Sequence, residues 1–67
     1  MSVAKVTELI SSSSKSFEAA INQGVQRATS TLEQVTGAWV EGQKVVIDGG
    51  KLKEYRVMLK VTFVQKA

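Results

Sequence analysis

The chain has neither cysteine nor histidine, so disulfides, thiol nucleophiles, imidazole bases and the usual zinc ligands are excluded. General acid or base work would fall to Asp, Glu, Lys or Tyr. The six acidic residues show no spacing that pairs two of them across a cleft. Glu41 and Glu54 come nearest to one another across a hairpin, where salt bridges to Lys44 and Arg56 suit them better than a catalytic dyad. Asp48-Gly49-Gly50 has the glycines of a loop that could cradle an ion or a phosphate. It lacks the repeated carboxylates of a calcium loop and the Gly-Lys-Ser/Thr of a phosphate loop, and reads as a tight turn. Two residues remain that could recognise a ligand. Trp39 offers a flat aromatic face, and its plainest role is an anchor at a buried contact. Arg56 offers a guanidinium that needs a carboxylate or an anionic ligand. The chemistry expected is binding rather than catalysis. Oxygen atoms from several copies could converge on a symmetry axis and hold calcium or magnesium, but one chain names no metal ligand.

At 67 residues the chain allows one domain, spanning 1–67, and a core too small to be comfortable alone. With no disulfide or zinc to staple it, self-association is the remaining source of stability. The formal charge of +3 comes from nine basic residues interleaved with six acids. Such scatter reads as a solvated surface rather than a phosphate track. A basic nucleic-acid-binding module is the competing class, and salt-dependent binding to generic DNA or RNA would reveal it. No run approaches a transmembrane span, and no basic-then-apolar leader opens the chain. The expected location is the cytoplasm.

The elements that position these residues follow from periodicity. From Lys53 to Gln65 the chain alternates, with Tyr55, Val57, Leu59, Val61 and Phe63 on one parity and Glu54, Arg56, Met58, Lys60 and Thr62 on the other. That is a long strand with one apolar face and one mixed face. Val3 to Ile10 reads as a first strand whose core parity is open, because Val6 and Ile10 compete with Thr7 and Leu9. Ser13 is expected to cap the helix that follows. Phe17, Ala20, Ile21, Gly24, Val25, Ala28, Leu32 and Val35 then recur at helical spacing, and the helix should end near Val35 with Gly37 as its left-handed stop. Gly24 costs about 1 kcal/mol against Ala inside a helix, so a close approach there is expected. Ala38 to Ile47 reads as a second strand, joined through Asp48-Gly49-Gly50 to the last. The fold class is α+β. The order is β-α-β-β, and the last strand lies central in a three-stranded antiparallel sheet of order 1-3-2 packed on one helix. Phe63 and Ile21 are placed in the core between helix and sheet. Two edges and one face of the sheet stay open.

Three stretches of this pattern resemble one family. They are Glu8-Leu9-Ile10-Ser11-Ser12-Ser13-Ser14-Lys15-Ser16-Phe17-Glu18-Ala19-Ala20-Ile21, Gln26-Arg27-Ala28, and Lys53-Glu54-Tyr55-Arg56-Val57-Met58-Leu59-Lys60-Val61-Thr62-Phe63. The sequence is similar to the dodecins over nearly its whole length. The resemblance implies a hollow homododecamer of tetrahedral symmetry, with helices outside and sheets lining the interior. It also implies storage of flavins such as riboflavin or FMN, stacked in pairs at two-fold interfaces. Membrane partners are not implied.

The departures concern the flavin. In flavin-binding dodecins a Trp opening the second strand stacks on the isoalloxazine, and a Gln just after the Tyr of the last strand bonds its polar edge. An ungapped alignment puts Gly37 at the first position and Arg56 at the second. This resembles a divergent branch that lacks the flavin tryptophan and for which calcium binding has been proposed. A second alignment, with two residues inserted before Trp39 and two removed from the hairpin, makes Trp39 the stacking platform. The resemblance therefore implies a shell that binds or sequesters a small ligand, with flavin binding weakened or lost and cation binding open. A flavin-storing shell built on Trp39 is the alternative.

Overall fold

The structure is a computed structural model, and it describes residues 2–66. Its elements are β1 (Ser2–Ser13), α1 (Phe17–Thr31), β2 (Val35–Asp48) and β3 (Lys51–Lys66). Both outer strands pair antiparallel with β3, giving the order β1-β3-β2. This is the expected α+β topology. Gly49 and Gly50 take φ of 60° and 77° between the paired residues Asp48 and Lys51. Two successive positive φ values in a two-residue loop match the twist of the flanking strands and are easiest for glycine.

The core is one strand face against one helix stripe. Val57, Leu59 and Val61 of β3 are fully buried, and the helix meets them with Ala20, Gly24 and Ala28. These three small residues are spaced by four, so a side-chain-poor ridge lies on the sheet. A Cβ on Gly24 would lie 2.7 Å from Leu59 Cδ1 and 3.2 Å from both Leu9 Cδ1 and Ser11 Cβ. Close approach is thus the reason for a glycine there. Phe17, Ile21, Val25 and Leu32 flank the ridge, and Phe17 meets Tyr55 edge to face at a 5.0 Å centroid separation. Ile21 and Phe63, expected inside, are half-buried at the rim. A helix of 15 residues cannot cover a strand of 16, because the helix rises less than half as far per residue.

The helix ends differ from expectation. Ser16, not Ser13, is the N-cap, its hydroxyl accepting from the Ala19 amide at 3.0 Å. Ser13 closes β1 and accepts the Lys15 amide at 3.0 Å in the turn between the two elements. At the other end the helix stops at Thr31, short of Val35. Thr29, Ser30 and Thr31 all turn their hydroxyls back to donate to carbonyls of the last turns. Such back-bonding weakens a helix interior. Leu32 is extended, donating its amide to the Ala28 carbonyl. Gln34, with φ 46°, takes the left-handed position assigned to Gly37, and its carbonyl accepts the Val64 amide. Val35 and Gly37 therefore belong to β2, and all three strands run longer than their sequence limits.

Candidate functional site on the open face of the sheet

Pairing across β3 sorts the side chains onto two faces. Leu9, Ser11 and Thr7 stand opposite Leu59, Val57 and Val61, which places them on the helix side. This settles the parity of β1, and it leaves Val6 and Ile10 on the open face, both strongly exposed. That face is a ladder of cross-strand rows. Val6, Thr62 and Gly37 form one, and Glu8, Lys60 and Trp39 the next. Ile10, Met58 and Gly42 follow, and then Ser12, Arg56 and Lys44. The register on β2 slips by one residue between Val40 and Gly42, so Glu41 is the bulged residue. A bulge re-aims the local side chain.

Charges organise two of these rows. The Lys60 ammonium lies 3.5 Å from Glu41 and 3.9 Å from Glu8, bridging both outer strands above the central one. Glu41 and Glu54 were expected either as a solvated pair or in salt bridges to Lys44 and Arg56; Glu54 does meet Arg56, whereas Glu41, at the bulge, meets Lys60. The Arg56 guanidinium pairs with Glu54, its neighbour on the same face of β3, and its Nε donates to Ser12 Oγ at 3.3 Å. Ser12 is tied to the helix in turn, since its carbonyl accepts from the Gln23 side chain at 3.1 Å. The row between them is apolar. A Cβ on Gly42 would lie 2.8 Å from Met58 Cε, so this glycine leaves room for the methionine.

Two recesses open on this face. One, of about 460 Å³, is lined by Glu8, Ile10, Glu41 and Met58. The other, of about 330 Å³, is lined by Val6, Trp39, Glu41, Lys60 and Thr62. Trp39 is 73% exposed. Gly37 lies in the same strand with open space around it. Gly37, Trp39 and Arg56 therefore share one face, but the register sets Arg56 on β3 four residues from the Trp39 row, roughly 13 Å at the usual strand rise. Lys60 was expected on this mixed face without its partners, whereas Glu8 and Ser12 were not expected there. Their signal lay in the alternation Val6-Glu8-Ile10, which matches the mixed face of β3. Among the described residues no three acidic side chains gather closely enough to hold a metal ion. No helix of the described residues is long and apolar enough to cross a membrane.

A single helix laid across one face of a three-stranded antiparallel sheet of order β1-β3-β2, with the opposite face left open, defines a small α+β class of fold. The dodecin family profile matches residues 3–66, and the chain belongs to the dodecin family. It is 36% identical over 63 residues to a calcium dodecin of Mycobacterium tuberculosis, covering 94% of this chain and 89% of that one. A mutant of the Thermus thermophilus dodecin superposes with a TM-score of 0.90 at 33% identity, with all of both chains covered. The dodecin of Streptomyces coelicolor gives 0.92 at 26% identity, over 98% of this chain and 94% of that one.

Proposed function

We propose that the protein assembles into a hollow homododecamer that binds or sequesters a small ligand, without catalysing a reaction, and that flavin binding in it is weakened or lost. The observation that carries this reading is the state of Gly37 and Arg56. Gly37 has no side chain to stack on a ring. Arg56 has no acceptor oxygen, and its guanidinium is engaged by Glu54 and Ser12. The relative named a calcium dodecin supports a hard cation, calcium or magnesium, as a ligand class. A site for it would draw oxygen ligands from more than one subunit. The visible absorbance spectrum of the purified protein tests this directly. A colourless preparation is expected, and calorimetric titration with calcium then reports the cation. A yellow preparation with a bound oxidised flavin would reject the proposal.

One observation favours a second reading. Trp39 presents most of its ring to the open face beside a recess, which is what a stacking platform requires. In that case the protein stores flavin on Trp39 rather than at position 37.

A further inference from the structure

The molecule is long and thin, 52 × 18 × 13 Å, and its helix packs mainly on β1 and β3. Away from the open face of the sheet, two further apolar features lack partners among the described residues. The first is the arm formed by the β2–β3 hairpin, where Val45, Ile47 and Leu52 are 38%, 64% and 47% exposed. The second is a trough between α1 and the start of β2, lined by Val25, Ala28, Thr29 and Val61 and by the β2 stretch from Val35 to Ala38, Gly37 included. Its volume is about 230 Å³, below the roughly 300–1,000 Å³ usual for small-molecule pockets, and it suits protruding side chains better than a cofactor. Arm and trough lie at opposite ends of β2, on the order of 30 Å apart by strand rise. One chain cannot bring its own arm to its own trough.

Their charges are complementary. The arm carries Lys44, Lys51 and Lys53 against Asp48 alone, since Glu54 is held by Arg56. The trough lies beside the C-terminus of α1, whose last turn has no basic residue. A helix C-terminus carries about half a negative charge. Glu33 follows immediately, and among the described residues it has no ion-pair partner.

We infer that the hairpin arm of one copy docks in the α1–β2 trough of the next, seating Ile47 and Leu52 there with the arm lysines over the helix end and Glu33. This rests on the self-association proposed above and assigns the surfaces that make it. The contact joins two different patches, so it is head-to-tail, and it generates a closed ring when the rotation between copies closes. It uses the helix side and the arm, leaving the open face with Trp39 for other contacts or for ligand.

The absence of native cysteine makes cross-linking clean. A chain carrying both Leu52→Cys and Thr29→Cys should, on oxidation, form disulfides between copies that join position 52 to position 29, read by peptide mapping. The double variant Ile47→Asp/Leu52→Asp changes only exposed residues. It should keep its helix signal in circular dichroism while losing most of the full-size assembly in light scattering, and Glu33→Lys should shift the assembly the same way. Full-size assembly by the Asp double variant would overturn the inference while leaving the proposed shell intact. So would disulfides joining only position 52 to position 52. A monomeric unmodified protein would overturn the shell itself and this contact with it.

Discussion

Gly24, Gly37 and Gly42 carry different burdens although all three lack a side chain. Gly24 lets the helix settle on Leu59 and Leu9. Gly24→Ala would gain about 1 kcal/mol of helix propensity. It would also force an added methyl into a full core, where overpacking costs about 1–3 kcal/mol. The expected net outcome is a lower melting temperature, and a higher one would refute the tight helix-to-sheet contact. Gly37 is the opposite case, in extended strand with nothing near its missing Cβ. The φ strain that a helix-stop role implied does not arise, so a side chain there should be tolerated. If 37 and 56 are the flavin positions, as proposed, Gly37→Trp with Arg56→Gln should retain stability and show measurable flavin binding by fluorescence quenching, because the substitutions supply a ring to stack and an amide to bond. Absent binding in a folded double variant would count against the alignment that puts the family's flavin positions at 37 and 56.

At the scale of the element, the helix boundaries carry a sharp test. Ser16→Ala removes the hydroxyl that accepts the Ala19 amide and should cost about 1 kcal/mol, seen in chemical denaturation. Ser13→Ala should cost less, since Ser13 only closes a turn at the end of β1. If the order were reversed, the cap would sit where the sequence first suggests it. That suggestion fails for a physical reason. Ser11 to Ser14 are all competent caps, and β pairing decides among them by holding the chain extended through Ser13 against Tyr55. The helix end was equally hidden, because Leu32 and Val35 continue the apolar spacing while Thr29, Ser30 and Thr31 act through backbone hydrogen bonds that periodicity does not register. The long alternation of β3 and the Gly-Gly hairpin were legible, since both express a strict local geometry. On the open face, Trp39 and Arg56 were legible as chemistry. Lys60 bridging Glu8 and Glu41 was not, because it depends on the β1 register and on a bulge. In the core, Leu59→Ala should cost about 2–5 kcal/mol. Phe63→Ala and Ile21→Ala should cost less, given their places at the rim.

At the scale of the molecule, the buried apolar side chains among the described residues are few, namely Val57, Leu59, Val61, Ala20 and Ala28. Meanwhile Val6, Ile10, Trp39, Ile47 and Leu52 face outward. A chain this small with this much apolar surface uncovered gains by burying it against copies of itself. Size exclusion coupled to light scattering should give the mass of a dodecamer, and the melting temperature should rise with protein concentration if dissociation accompanies unfolding. A stable monomer in dilute buffer would contradict both. Such a shell would place many copies of the ladder of Trp39, Lys60, Met58 and Arg56 close together, so ligand choice rests on what that face offers. The most direct measurement is a titration of the assembled, unmodified protein with riboflavin and FMN, following flavin and Trp39 fluorescence together. The account expects weak quenching or none. Tight binding that quenches Trp39 and is abolished in Trp39→Ala would contradict it and make the protein a flavin store built on Trp39.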